Sequence, residues 1–400
     1  MIKGLLFGKL FDNIATIVMC LIPMLIERSI KKEVEEWLFK GKVIIIYGPR
    51  RVGKTTLVKE ILEKFGTDGK YINCDILQNR QGLESQDDKK LREFLGTGKI
   101  FVIDEAQRVQ NIGINLKILV DTYPDIQIIA TGSSSFDLSN KINEPLTGRN
   151  VTFMLYPISV SEMSTVYKNS QEIDANLENL LLFGGYPEIS SGVANDKIGY
   201  LQELSSNYLY KDVLEFECLK KPEMIVKLLQ MIALQIGNEV SYNELAVKLE
   251  TTRKTIMNYI YLLEQSFVIF RLAPFSRNIR NEIGRKNKIY FYDLGVRNAL
   301  VNSFDKLDGR NDVGGLWENF LIIERKKLIE KKRWYRNRYF WRTQDKEEID
   351  YVEDYDGRLH GYEFKWGNKT YNIPKSFIDE YKNSDVSIVN RSNYKEFLGI

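Results

Sequence analysis

The sequence predicts an α/β fold: a parallel sheet with helices on both faces, followed by a helical stretch and a mixed α/β C-terminal part. Three observations predict it. Short, continuous, β-branched apolar runs recur at 43–47 (VIIIY), 99–104 (KIFVID) and 126–131 (IQIIAT), as expected of strands buried on both faces. Helical periodicity separates them, and strand–helix alternation is the mark of a parallel sheet. That alternation stops near residue 160, and 400 residues exceed one core, so two or three domains are expected.

Residues 31–40 read as an amphipathic helix with Val34, Trp37 and Leu38 on its apolar stripe, ended by Gly41. The strand at 43–47 leads through a glycine-rich loop into a helix carrying Leu57, Val58, Ile61 and Leu62. Tyr71 to Cys74 is a short strand, a helix is expected near 88–95, and the strand at 99–107 ends in acids. A helix at 114–121 and a strand ending in small polar residues at 126–135 complete this part. Residues 151–160 are extended and end at Pro157. Residues 171–217 read as helical, broken by the turn Gly184–Glu188, and 224–270 as short helices followed by a β-like run.

Composition bounds the function. Hydrophobic residues at 44% and charged residues at 28% are ordinary for a soluble protein, and a net charge of +3 gives no global argument for nucleic acid. Cys20, Cys74 and Cys218 are scattered and His360 is the sole histidine, which excludes a zinc cluster and a disulfide framework and fits a reducing cytoplasm. The apolar stretch Ile14 to Ile26 contains Pro23 and is short for a membrane span, so no stable membrane insertion is expected. A signal-peptide core is the competing interpretation of that stretch, and a buried segment the favoured one.

Gly48-Pro49-Arg50-Arg51-Val52-Gly53-Lys54-Thr55 matches GxxxxGK[ST] in full, with Thr56 next, a strand before it and a helix after it. Glycines let the backbone wrap phosphates, and the loop N–H groups and helix N-terminus stabilise the anion. The expected ligands are ATP and Mg²⁺, with Lys54 on the β- and γ-phosphates and Thr55 on the metal. Arg50 and Arg51 either touch phosphate or solvate the loop. An apolar strand then delivers Asp104 to the edge where ligands bind, to hold Mg²⁺. Glu105, one residue on, is placed to orient and deprotonate the attacking water, which argues for hydrolysis. Ser133 or Ser134, closing the next strand, is a candidate γ-phosphate sensor. Arg149 is a candidate sensor in cis or a finger donated to a neighbour.

The series GPRRVGKTTL, FVIDEAQ, IIATGSSSF, LTGR and FMLYPIS resembles the AAA-type P-loop ATPases of bacteria and archaea that carry an uncharacterised, nuclease-like C-terminal domain of the DUF4143 type. The resemblance runs from about residue 24 to 395. It implies a sensor role for Ser133 or Ser134 and a position beside the nucleotide for Arg149. One departure is Met24, where the family usually carries arginine after Ile-Pro. The implied organisation is an ATP-binding domain at 22–160, a helical lid at 161–222, a winged helix at 223–300 and a PD-(D/E)xK nuclease-like domain at 301–400.

Residues 238–264 have a helix-turn-helix pattern, with Ser241 and Glu244 as a capping box and Ile256, Tyr259, Ile260 and Leu263 as an inward stripe. Its outward face offers Arg253, Lys254 and Asn258 to DNA, and a winged-helix packing module without nucleic-acid contact is the alternative. In the C-terminal part Glu318 opens a helix, Asp350 lies on one strand, and Glu363 and Lys365 lie two apart on the next. Two carboxylates to hold Mg²⁺ and a lysine to polarise water is the pattern of a PD-(D/E)xK nuclease, and a solvated pair is the plain alternative. The run Arg325 to Arg338 holds eight Lys/Arg in 14 residues with Trp334, Tyr335 and Tyr339 in or beside it, the pattern of a phosphate-tracking surface or of a solvated helix face. The leading expectation is ATP hydrolysis coupled to DNA or to a partner protein. An ATP-gated, metal-dependent DNA endonuclease and a non-catalytic ATP switch are the alternatives.

Overall fold

A computed structural model describes residues 26–133, 146–167, 169–208, 222–276, 286–343, 345, 347–367 and 372–400. Cys20, Met24, Ser134, Cys218 and nearly all of the apolar N-terminal stretch lie outside these residues. Cys74 is a free, buried thiol. Among the described residues no helix is long and apolar enough to cross a membrane.

The N-terminal part is a five-stranded sheet of β1 (Val43–Tyr47), β2 (Gly69–Asn73), β3 (Ile100–Asp104), β4 (Gln127–Gly132) and β5 (Asn150–Met154). Their order is β2-β3-β4-β1-β5 and every pairing is parallel. Alternate side chains enter two different cores, which is why the inner strands β1, β3 and β4 are buried throughout, while the edge strands β2 and β5 are only partly buried. Ile44, Ile46, Val102 and Ile129 pack on one face with Leu57, Val58 and Ile61 of the helix Lys54–Glu63. Val43, Ile45, Phe101 and Ile103 pack on the other with Leu91, Leu116 and Leu119. The insertion of β4 between β1 and β3 places the end of β4 between the glycine loop and the acids of β3.

The middle of the chain contains the helices Ser170–Phe183, Pro187–Ser190, Lys197–Glu203 and Pro222–Leu234. The helical stretch expected over 171–217 is therefore several pieces. Gly184, at φ 72°, ends the first of them, where an added Cβ would strike the Asp293 carboxylate. The helices Tyr242–Lys248 and Arg253–Gln265 follow, each capped by a side chain, Ser241 on Glu244 N and Thr252 on Thr255 N. Ile256, Ile260 and Leu263 face the core.

A second sheet joins β6 (Glu239–Val240), β7 (Ile269–Pro274) and β8 (Asn287–Phe291) to β9 (Asn337–Arg342), β10 (Glu348–Tyr355), β11 (Arg358–Phe364) and β12 (Ser384–Val389). The link is a parallel pairing of β7 with β9, Ala273 beside Tyr339 and Pro274 beside Phe340. The boundary expected near residue 300 thus runs through one sheet: strands on either side of it hydrogen-bond to each other. The helix Val313–Lys331 lies across this sheet, buried on nearly all sides, with Trp317 at the centre of a core that includes Tyr290, Tyr351 and Phe364.

Candidate functional site

The loop after β1 is shaped by its glycines. A Cβ on Gly48 would stand 2.2 Å from the Leu155 carbonyl oxygen, so no other residue fits there. Gly53 adopts φ 92° immediately before the helix starts. The buried Lys54 ammonium donates to the Gly48 and Pro49 carbonyls at 2.7 and 2.8 Å, which holds it over the loop. Thr55 Oγ1 donates to Asp104 Oδ2 at 2.8 Å. Tyr71 Oη donates to the same oxygen and Thr131 Oγ1 to Asp104 Oδ1. Asp104, 4% exposed, is therefore fixed by three hydroxyls from β2, β4 and the loop helix. Burial, and then the Asp104 carboxylate, push the Tyr71 phenol above its ordinary range, so it stays a donor.

Glu105 takes φ 55°, which turns its side chain away from the strand direction. Its N–H donates to Thr131 Oγ1 at 3.2 Å, and Gln107 Nε2 donates to its carboxylate at 2.5 Å. Ser133 Oγ stands 3.4 Å from the same carboxylate and accepts from Gln107 Nε2 at 3.3 Å. The sheet order thus brings Lys54, Thr55, Asp104, Glu105 and Ser133 together.

It does not bring Arg149. Because β5 runs parallel to β1, a residue before β5 lies at the sheet edge opposite the glycine loop. The Arg149 carbonyl accepts from Val43 N at 2.9 Å, and its guanidinium pairs with Asp121 at 2.6 Å. Five strand steps separate that edge from Gly48, roughly 17 Å, which corrects the expectation of a cis contact with this chain's own nucleotide. Arg51 is also turned aside, pairing with Glu203 at 3.2 Å and lying over Tyr200. Arg50 lines a crevice with Tyr186 and Asp293.

Another arginine does reach the loop. Arg28 donates to the Val52 carbonyl at 2.6 Å and to the Tyr156 carbonyl, and pairs with Glu162 at 3.2 Å. Burial pushes the Glu162 carboxyl up, but the Arg28 charge and the N–H groups of Ser159 and Ser29 outweigh it and hold it below its usual value. Arg28 carries no motif that marks it, and its partners lie up to 134 residues away.

The C-terminal residues also converge. Asp350 on β10 stands across from Glu363 on β11, given that Tyr351 faces Tyr362 in an antiparallel register. Glu363 pairs with Lys365 at 2.5 Å, and Glu318 approaches from its helix. The site has an occupant the motif did not foretell. Lys288, 1% exposed, puts its ammonium 2.8 Å from Glu318, 2.5 Å from Glu348 and 3.8 Å from Asp350. Burial pushes the Glu318 carboxyl up to about 8 even against Lys288. Burial and then Asp350 push Glu363 up to about 7. Its second carboxylate oxygen is buried without a partner. A divalent cation and this ammonium compete for the same oxygens, so the residues do not fit a bound metal. Among the described residues no group of three or more His, Cys, Asp or Glu is arranged to hold one.

Most of the basic run is likewise paired within the chain. Arg325 and Arg336 both bind the fully buried Glu353, at 2.7 and 2.6 Å. Lys326 pairs with Glu330, Lys327 with Glu324 and Arg333 with Glu33, while Lys331 donates to Ser161. Of the eight cations, Lys332 and Arg338 make no ion pair among the described residues, and Lys331 to Tyr335 stay exposed.

A phosphate loop opening a helix, an acid strand one position removed from it in the sheet and a buried Thr–Asp pair define a P-loop nucleotide-binding protein of the AAA type. Residues 40–164 match the family described as "AAA domain", 174–307 a domain of unknown function (DUF8612) and 313–397 a second one (DUF4143). The chain is 30% identical over 328 residues to an uncharacterised protein of Methanocaldococcus jannaschii, covering 76% of this chain and 71% of that one, and it belongs to the same family. It is 27% identical over 347 residues to an uncharacterised protein of Mycobacterium tuberculosis, covering 86% of this chain and 74% of the relative. Over 224 residues it is 24% identical to the replication factor C large subunit of Staphylothermus marinus, covering 48% and 51% of the two chains. The homology to AAA domains supports ATP binding and hydrolysis in general.

Proposed function

We propose that this chain hydrolyses ATP at the Lys54 loop and passes the nucleotide state to its C-terminal half, which engages DNA. The observation behind the hydrolytic reading is the pairing of two differently held acids at one strand end. Asp104 is locked by three hydroxyls and Thr55 is one of them, an all-oxygen pair suited to a hard divalent cation. Mg²⁺ held there would spread the charge of the phosphates. Glu105 is held by one amide and one hydroxyl, leaving its carboxylate the capacity to accept a proton from water. Lys54 neutralises phosphate charge, and the loop N–H groups orient the chain of phosphates.

The coupling reading rests on the segment 155–162. Arg28 ties it to the loop, and on its other side Tyr156 Oη donates to Glu330 while Val160 N donates to Glu324 at 2.9 Å, both on the helix Val313–Lys331. A shift of Val52 therefore has a short polar route to the C-terminal helix. DNA is favoured as the partner because the helix Arg253–Gln265 turns Arg253, Lys254, Met257, Asn258 and Tyr261 outward. Arg253 and Lys254 make no ion pair among the described residues. Metal-dependent cleavage is not part of this proposal, given the ammonium of Lys288 among the carboxylates.

The test is phosphate release with and without duplex DNA. Glu105→Gln is expected to keep ATP binding and lose roughly 10²- to 10⁴-fold in turnover. Wild-type turnover unchanged by DNA, together with unchanged DNA binding after Arg253→Glu/Lys254→Glu, would remove the DNA half of the proposal. ATP binding without measurable turnover in the wild type would leave a non-catalytic switch.

A further inference from the structure

A cavity of about 300 Å³ lies between β7, β9, β10 and the helix Val313–Lys331, far along the chain from the ATP loop. Its walls are unusually cationic for an interior space. Arg271, Lys326, Arg336 and Arg338 line it, with Glu264 as the lining acid. Arg271 is paired with Glu264 at 2.5 Å and Lys326 with Glu330 at 2.7 Å. Arg336 shares Glu353 with Arg325. That leaves five cations, Arg325 included, against three carboxylates, and Arg338 with no ion pair among the described residues.

Two lining atoms are buried and unpartnered: Arg338 Nη1 and Tyr351 Oη. Both are donors. Tyr351 is 0% exposed, and the β-bulge in β10 between Ile349 and Val352 is what re-aims the strand at this point. An orphaned buried donor costs on the order of 1–3 kcal/mol, more for a charged one, so two in one cavity require an acceptor that the chain itself does not provide. Burial holds the Lys326 ammonium below its ordinary value; Glu330 opposes this and Arg338 adds to it. The excess of positive charge, two unpartnered donors and an exposed lining residue, Asn337, fit an anion entering from solvent.

We propose that this cavity binds the phosphate group of a small organic phosphate, with Arg338 and Tyr351 as its donors and Lys326 as a second cation. Guanidinium is the side chain best matched to a phosphate face, and Phe270 and Tyr339 on the same walls can cover a planar body attached to it. The volume is at the lower end of small-molecule pockets, which excludes a folded partner. Nothing in this inference depends on ATP hydrolysis at Lys54.

The experiment uses the full chain carrying Lys54→Ala, so that the ATP loop does not report. Inorganic phosphate and adenosine 5′-monophosphate are titrated separately by calorimetry, with a single-stranded oligonucleotide as a third arm. Saturable binding of phosphate or the monophosphate is expected, weakened at least 10-fold by adding Arg338→Ala and about threefold or more by adding Tyr351→Phe. Tyr351→Phe removes only a hydroxyl and keeps the core, so it remains informative where Arg338→Ala fails to fold. Equal binding with and without both changes, or no saturation by about 10 mM of either small anion, overturns the proposal. Binding of the oligonucleotide alone, lost with Arg338→Ala, also overturns it, by assigning the cavity to a nucleic-acid backbone.

Discussion

Lys288 is the residue whose removal separates an internal ion cage from a metal site most sharply. Substituting Lys288→Met keeps the length and apolar stem while deleting the ammonium that stands within 2.8 Å of Glu318 and Glu348. The remaining carboxylates are buried, and the cheapest repair is for one of them to take up a proton. Breaking a buried ion pair from one side typically costs ~3–5 kcal/mol, and the loss shrinks at low pH, where the carboxyls hold protons and leave less charge unpaired; Glu318 is already pushed up to about 8 with Lys288 in place. Urea denaturation of wild type and Lys288→Met at pH 5 and pH 8 measures it directly. A large loss at pH 8 that nearly vanishes at pH 5 is the expected result. At pH 8, millimolar Mg²⁺ or Ca²⁺ should restore part of the variant's stability and leave the wild type unchanged. A variant as stable as wild type at pH 8, or equally destabilised at both pH values, refutes the cage.

Other outcomes follow from the same contacts. Glu363 has its folded-state value raised to about 7, so the folded protein holds that proton more tightly; the associated stability is complete below about pH 4.5 and is lost as pH rises through 7. Glu363 should therefore contribute a fall of on the order of 2–3 kcal/mol between pH 5 and pH 8, in addition to that of Glu318, raised to about 8, and Glu363→Gln, which cannot ionise, should make the profile shallower by that amount while leaving the Glu318 part. Arg28→Ala should weaken ATP binding about 10-fold or more by freeing the Val52 carbonyl, and Arg28→Lys should not rescue it, because one ammonium cannot serve acceptors on Val52, Tyr156 and Glu162 at once. Equilibrium binding of a fluorescent ATP analogue reads this out.

Legibility in the sequence followed the range of the interactions. Lys54, Thr55, Asp104 and Glu105 are placed by strands and turns only a few residues long, so their motifs carry the geometry with them. Tyr71 and Arg28 reach the same site through pairings of distant strands and an N-terminal segment, and no local pattern marks them. Arg149 illustrates a direction error. Its glycine-arginine pair precedes a strand parallel to β1, and a residue before such a strand belongs to the far edge of the sheet. In the basic run from Arg325 some counter-ions, Glu353 and Glu33, are remote in sequence, so charge density along the chain overstates the charge left for a ligand. Lys288 was hidden inside what reads as an ordinary strand, NKIYF, and only the approach of the helix Val313–Lys331, with Glu318, and of β10, with Glu348 and Asp350, gives it three acids.

The β7–β9 pairing bears on how the molecule can be taken apart. The matched regions 174–307 and 313–397 suggest a cut between them. Such a cut would pull β9 away from β7, bare a hydrogen-bonding edge on each fragment, and leave Lys288 on one piece with Glu318, Glu348 and Asp350 on the other. The two regions are distinct as units of descent but share one folding unit, so expression of either alone is expected to yield aggregate, and any dissection that aims at soluble material should keep 222–400 in one piece.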